Sequence, residues 1–165
     1  MSSFMHETFS ILTNLPIISV ALVNGRAVGG GAELTLVPDL RAFAQTKGKL
    51  SFVEAKMGVI TGLGGATRLK NLVGHSKALE ILLSCRSLNS DDALSIGLCD
   101  QIVPDENSLS ETLAWLEKLV QHDNRVLCAL KTSLNSNSFE IERNQFAPLW
   151  GGPANKLALS KNLKH

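Results

Sequence analysis

The stretch Gly29-Gly30-Gly31-Ala32-Glu33-Leu34 is the most informative part of this 165-residue chain. It follows an apolar run rich in β-branched residues, residues 16–23, and precedes a segment with helical character, residues 32–37. A strand, a glycine turn and a helix start place free backbone N–H groups at a helix N-terminus, where the helix dipole favours negative charge. Glu33 adds a carboxylate within the first turn. This pattern suits chemistry in which an oxyanion forms and a proton moves nearby.

Length and composition favour one globular domain with a sizeable core, since 44% of the residues are hydrophobic and 19% are charged. The 16 basic and 15 acidic residues leave a net charge of +1. This balance gives no electrostatic reason to expect a nucleic acid or an anionic membrane surface as partner. No apolar run approaches the roughly 20 residues that span a bilayer.

The three cysteines, Cys85, Cys99 and Cys128, are odd in number and widely spaced. We therefore expect neither a disulfide framework nor a zinc site. This cysteine usage favours a reducing compartment. The four histidines also lack metal-ligand spacing, so we expect no metal and no cofactor. Residues 1–14 show no features of a signal or transit peptide, which favours the cytosol.

Hydrophobic patterning and turn residues predict the order of helices and strands. Helices are predicted at 1–13, 32–37, 66–73, 76–84, 89–97, 108–122, 124–133 and 139–149, and strands at 17–23, 40–45, 50–53 and 98–103. Beyond Pro104 the pattern is helical only. We therefore predict a strand-and-helix part, residues 1–103, and a helical C-terminal region, residues 104–165.

Glu33 and Glu54 are the candidate site carboxylates, and each has a purely structural alternative. Glu33 could stabilise its own helix from the first turn. Glu54 could be a solvated loop carboxylate paired with Lys56, or a second carboxylate opposite Glu33 that makes an acid and base pair. The cluster Gly62 to Gly65 matches neither a phosphate-binding loop nor a complete dinucleotide fingerprint, which favours a tight backbone turn.

The motifs together resemble the crotonase (enoyl-CoA hydratase/isomerase) superfamily. The resemblance is carried by residues 16–25 with the triple-glycine stretch, by the segment 58–69, and by Ala93-Leu94-Ser95-Ile96-Gly97-Leu98. It implies an α/β fold, a crotonase-like β-β-α superhelical spiral, with a helical C-terminal region that mediates trimers or dimers of trimers. It also implies an acyl-CoA thioester as substrate and partner, bound through two backbone N–H groups that hold the oxygen of the enolate.

The resemblance assigns catalytic roles to Gly30, Glu33 and Glu54, and substrate binding to Gly29, Gly30 and Gly62. Gly30 matches one of the two N–H donors, and a preorganised donor contributes about 3–4 kcal/mol of transition-state stabilisation. The segments of the family that grip CoA and supply the second donor would lie before residue 1. The spiral is therefore expected to be partial, and this chain alone to show weak or no activity.

Three functions remain open. The segment 149–155 resembles the branch of the family that decarboxylates thioesters such as ethylmalonyl-CoA and methylmalonyl-CoA, which favours a carboxy-lyase. The pair Glu33 and Glu54 suits addition of water to an enoyl-CoA, because an ionised Glu54 would repel the carboxylate of a malonyl-type substrate. The third alternative is a non-catalytic chain that joins oligomers through its helical region.

Overall fold

A computed structural model describes residues 2–161 of the chain. These residues form two compact units: the first holds residues 2–13 and 19–115, and the second holds residues 14–18 and 116–161. The division at residue 103 stays a prediction.

The elements follow in chain order. They are α1 (Ser2–Asn14), β1 (Val20–Val23), β2 (Arg26–Val28), α2 (Gly30–Thr35), β3 (Leu40–Ala44), β4 (Lys49–Ser51), a single 3-10 turn (Glu54–Met57), α3 (Gly65–Val73), α4 (His75–Ser84), β5 (Ser87–Leu88), α5 (Ser90–Ser95), β6 (Gln101–Val103), α6 (Ser108–Leu119), α7 (Asn124–Ser136), α8 (Phe139–Phe146) and α9 (Pro153–Ser160).

Within residues 2–161 the strands form two three-stranded sheets, both in the first unit. The first sheet has the order β1-β3-β6 and is parallel throughout, with Val20 opposite Leu40. The second has the order β2-β4-β5, in which β2 and β4 are parallel and β5 is antiparallel to β4. Consecutive strands β1 and β2 therefore belong to different sheets. The glycine turn, residues 29–31, follows β2 of the second sheet.

The core of the first unit is built from apolar residues of strands and helices of both halves of its sequence. The largest fully buried apolar side chains are Phe43, Phe52, Leu50, Leu69, Ile81, Leu88 and Leu98. Each such side chain contributes roughly 1.5–3 kcal/mol by leaving water. The parallel strand β3 is buried at four of its five positions, as its apolar sequence predicts for a covered strand.

Arg41 is a buried cation in β3 that joins three segments of the first unit. Its guanidinium donates to the carbonyl oxygens of Leu98 at 3.1 Å and Pro38 at 3.0 Å, and it contacts the Asp100 carboxylate at 3.4 Å. Burial lowers the pKa of Arg41 from its usual value, which Asp100 opposes. The carbonyl partners satisfy a group that would otherwise be costly to bury.

Most predicted elements are present, and the differences have local causes. The strand expected at 98–103 begins only at Gln101, because the N–H groups of Leu98 and Cys99 both bond to the Ala93 carbonyl at the end of α5. The helix expected at 76–84 begins one residue earlier, at His75 after Gly74. The helix expected at 139–149 ends at Phe146, in α8.

Three of the strands and α-helices were not predicted from the sequence. β2 and β5 have only three and two residues, which is too short for an alternating pattern to be recognised. The third, α9, begins with Pro153 in its first turn, after Gly152.

The second unit is helical apart from its first segment, residues 14–18. Lys131 in α7 donates to the Ile17 carbonyl at 2.8 Å, and the Cys128 thiol donates to the Pro16 carbonyl at 3.0 Å. These contacts attach the segment to α7. Among the described residues, no helix is long and apolar enough to cross a membrane.

Because the thiol of Cys99 is buried, we predict that the protein loses stability at alkaline pH. Desolvation by burial raises its pKa from 9.0 to about 11. Above pH 9 the unfolded chain releases this proton and the folded chain keeps it, so the free energy of unfolding falls between pH 9 and 11, by up to about 2–3 kcal/mol. Urea unfolding at pH 8 and pH 10.5 measures the fall, and the C99A variant, as control, should show a smaller one. An equal pH dependence in both proteins would contradict the prediction.

Candidate functional site

The glycine turn, residues 29–31, leaves the backbone amide of Gly30 open. Gly29 has a φ of 57°, a conformation that glycine adopts without strain, and its N–H donates to the Ser51 carbonyl at 2.9 Å. Its carbonyl accepts from Glu33 N–H at 3.0 Å, which closes the first turn of α2. Gly30, the first residue of α2, is exposed, and no residue of the described chain accepts a hydrogen bond from its N–H. This amide is therefore available to an external acceptor.

The Glu33 carboxylate is buried and holds the second glycine cluster. Its side chain accepts three backbone N–H bonds: Gly62 to Oε1 at 3.2 Å, and Leu63 and Gly65 to Oε2, both at 2.8 Å. The residue is only 2% exposed. Hydrogen bonds to a charged group contribute about 1.5–3 kcal/mol each, so this carboxylate is a strong link between α2 and the start of α3.

The loop that Glu33 holds, residues 62–65, is called the glycine loop below. Arg68 donates to the Leu63 carbonyl at 2.7 Å, and His6 Nε2 lies 3.3 Å from the Gly62 carbonyl oxygen. Side chains thus contact the N–H groups and the carbonyls of this loop alike. Gly65 must be glycine, since a Cβ there would lie 2.7 Å from Glu33 Cγ.

The Glu54 carboxylate lies beside the same turn and has no partner. Glu54 begins the 3-10 turn after β4, and both its carboxylate oxygens are buried without a hydrogen-bond partner among the described residues. Oxygen Oε1 lies 3.6 Å from the position of a Cβ at Gly29. A buried carboxylate without a partner is energetically costly, which indicates a site that a water molecule or a ligand satisfies.

The structure gives the two carboxylates different surroundings. The sequence alternative that pairs Glu54 with Lys56 is wrong, because Lys56 Nζ donates to the Cys85 carbonyl at 3.4 Å and the Glu54 oxygens are unpaired. The Glu33 carboxylate bonds to the loop at the start of α3, so its role is not limited to stabilising its own helix, α2. The catalytic roles of both glutamates and of Gly30 stay predictions.

The two other predicted binding residues, Gly29 and Gly62, use their N–H groups within the protein. Gly29 N–H bonds to Ser51 and Gly62 N–H bonds to Glu33. Their predicted roles in substrate binding therefore require a contact other than a free N–H group.

Sequence reasoning missed two neighbours of the site, Leu63 and Arg68. The side chain of Leu63 lies against Gly30, with Cδ1 3.3 Å from the position of a Cβ on that residue. Arg68, which holds the Leu63 carbonyl, also lies over the Phe9 ring with 5.6 Å to its centroid. The sequence signal that could have found Leu63 is its position between two glycines, because its side chain projects from a backbone that the glycines allow to pack closely.

Residues 2–161 contain no group of three or more His, Cys, Asp or Glu side chains that could hold a metal ion. A cavity of about 270 Å³ lies within the second unit. It is lined by Pro16, Ile17, Ile18, Leu116, Val120, Asn124, Leu127, Cys128 and Lys131. None of the predicted site residues is among them.

The chain belongs to the enoyl-CoA hydratase/isomerase family, also called the crotonase family, whose family model matches residues 1–147. Ethylmalonyl-CoA decarboxylase from Bos taurus is 39% identical over 98% of this chain, and the Homo sapiens protein of that name is 38% identical. The match covers 56% of the bovine protein and 55% of the human one. The chain therefore spans little more than half the length of these curated relatives.

Solved structures show the same fold. An enoyl-CoA hydratase from Geobacillus kaustophilus superposes with a TM-score of 0.90 at 28% identity, over 98% of this chain and 64% of that one. A Thermobifida fusca protein solved with acetoacetyl-CoA superposes with a TM-score of 0.80 at 26% identity, over 88% of this chain and 60% of that one. The predicted crotonase fold is confirmed.

The contrast between the two glutamates predicts unequal effects on stability. E33Q places an amide NH2 among three N–H donors and leaves buried donors unsatisfied, so we expect a loss of about 1–3 kcal/mol in the free energy of unfolding. E54Q replaces a carboxyl group that has no hydrogen-bond partner among the described residues, so the loss should be absent or smaller. Urea unfolding of the two isosteric variants measures both effects. Equal losses, or a larger loss in E54Q, would be inconsistent with this geometry.

Proposed function

We propose that this chain binds the thioester carbonyl of an acyl-CoA at Gly30 and stabilises the enolate that forms there. The observation that carries the proposal is the open Gly30 amide next to the unpartnered carboxylate of Glu54. A fixed N–H group at a helix N-terminus stabilises the charge that develops on the thioester oxygen. A carboxyl group close to that oxygen can exchange a proton with the neighbouring carbon. Membership of the enoyl-CoA hydratase/isomerase family supports this class of substrate.

Decarboxylation of ethylmalonyl-CoA or methylmalonyl-CoA is the reaction we propose first. The names of the curated relatives and the segment 149–155 support it. The bond between the α-carbon and the substrate's carboxylate breaks, CO2 leaves, and the electron pair enters the enolate, whose oxygen accepts from Gly30. A proton then adds to the α-carbon and gives the saturated thioester.

Glu54 is better placed than Glu33 to deliver that proton. Three N–H bonds occupy the Glu33 oxygens, whereas both Glu54 oxygens lack partners. In this proposal Glu54 is the acid: its carboxyl group gives a proton to the α-carbon after CO2 has left. Glu33 then acts as a positioning residue that holds the glycine loop.

Hydration of an enoyl-CoA is the second candidate, and the buried oxygens of Glu54 favour it. They offer acceptors for a water molecule that adds to the double bond. In this reaction Glu54 takes a proton from the water, whose oxygen bonds to the β-carbon. Glu54 then passes this proton to the α-carbon, so that one water molecule adds across the double bond, and Gly30 again holds the enolate oxygen.

A non-catalytic chain that joins oligomers is the alternative of a different class. Large apolar side chains of the C-terminal region are exposed, with Phe139 at 92%, Trp150 at 71% and Leu157 at 57%. Exposed apolar residues in such number support an interface with another chain. The trimer, the link to fatty acid metabolism and the cytosolic location remain predictions.

A pair of substitutions tests the Gly30 amide. G30P removes the N–H group at the first position of α2, where a helix tolerates proline, and G30A adds a Cβ but keeps the N–H. We expect G30P to lower kcat about 10²–10³-fold relative to G30A, the cost of losing one oxyanion donor. Circular dichroism checks that both variants fold. Equal kcat values in two folded variants would refute the role of this amide.

The reaction itself is tested with the purified chain, ethylmalonyl-CoA and crotonyl-CoA. We expect CO2 release with the first substrate, and a loss of at least about 10²-fold in E54Q, because Gln cannot deliver the proton. Loss of the enoyl absorbance of crotonyl-CoA, dependent on Glu54, would instead establish hydration. The D91N variant, altered on the exposed face of α5, serves as control. No turnover of either thioester, together with mixed oligomers with a full-length relative, would favour the non-catalytic alternative.

A further inference from the structure

Leu63 closes one side of the glycine turn. Its Cδ1 lies 3.3 Å from the position of a Cβ on Gly30, which is tighter than an ordinary van der Waals contact. The side chain therefore lies beside the residue that carries the open amide, at the edge of the space that a Cβ there would occupy. Leu63 is half-buried, so part of its surface faces solvent or a ligand.

A thioester held by this amide comes close to the same side chain. With a hydrogen bond of about 2.9 Å, the carbonyl carbon lies within about 4 Å of Gly30 N, and the α-carbon within about 5.5 Å. By bond geometry, Leu63 Cδ1 lies within about 6 Å of that nitrogen. These distances are short enough for a substituent on the α-carbon to reach the Leu63 side chain.

The backbone of Leu63 is fixed on both sides. Its N–H donates to Glu33 Oε2 at 2.8 Å and its carbonyl accepts from Arg68 at 2.7 Å. Gly65 N–H donates to the same Glu33 oxygen, so the neighbouring peptide is held too. A larger ligand cannot displace this residue without breaking charge-assisted hydrogen bonds, which are about twice as strong as neutral ones.

We infer that Leu63 is a specificity-determining residue that limits the size of the substituent on the α-carbon of the thioester. The inference rests on the proposed binding of the thioester at Gly30, and it does not depend on which reaction follows. A side chain on a backbone that is held in place excludes larger groups by overlap, whereas one on a mobile backbone would adapt. A single methylene in such a pocket changes discrimination by about 10–200-fold.

Binding and turnover test the inference separately. Dissociation constants of acetyl-, propionyl- and butyryl-CoA, whose α-substituents are hydrogen, methyl and ethyl, are measured by calorimetry. The kcat/KM values of malonyl-, methylmalonyl- and ethylmalonyl-CoA give the same series for decarboxylation. In L63A we expect the preference to shift at least about tenfold towards the ethyl compound, and in L63F the opposite shift. If L63A does not fold, L63V, which is a smaller change, is measured in its place and should give a smaller shift in the same direction.

The matched control is L83A, the same substitution at an exposed leucine of α4, which should leave both series unchanged. Turnover or binding with an unaltered preference in L63A and L63V would overturn the inference and leave the proposed function standing. Shifted affinities without turnover would support Leu63 and refute the proposed reactions. Absence of binding by every acyl-CoA would overturn both.

Discussion

The candidate site depends on one interaction: the buried carboxylate of Glu33 accepts hydrogen bonds from three backbone N–H groups. Glu33 lies in α2 directly after the glycine turn, and its partners lie in the glycine loop that leads into α3. Because the carboxylate is buried, water does not compete for these bonds, and each is stronger than at a surface. The contact therefore fixes the distance between two glycine-rich segments that are about thirty residues apart in the sequence.

The two glutamates are similar side chains whose hydrogen-bond partners differ, and this difference indicates different roles. Glu33 and Glu54 are both acidic residues near one turn, yet only Glu33 has its oxygens satisfied by the protein. A satisfied carboxylate stabilises structure, whereas a buried one without a partner stores a cost that a ligand can relieve. This difference supports Glu54 as the group that moves a proton and Glu33 as the one that keeps Gly30 and Leu63 in register.

Much of the fold could be predicted from local patterns, because apolar periodicity, glycine and proline act over a few residues. Helices such as α3 and α7 were recognised in this way, and the family resemblance supplied the overall fold. The short strands β2 and β5 could not be found, since two or three residues carry no period. Their existence depends on pairing with β4, which is distant in sequence.

The sequence by itself determined the family, the glycine turn and the identity of Gly30, Glu33 and Glu54 as candidates. Only the tertiary structure decided what each group contacts: that the Gly30 amide is open, that Glu33 is bonded to the glycine loop, and that the Glu54 carboxylate oxygens are buried without a partner among the described residues. The physical reason is that burial and hydrogen bonding depend on segments brought together from distant parts of the chain, which no local pattern encodes.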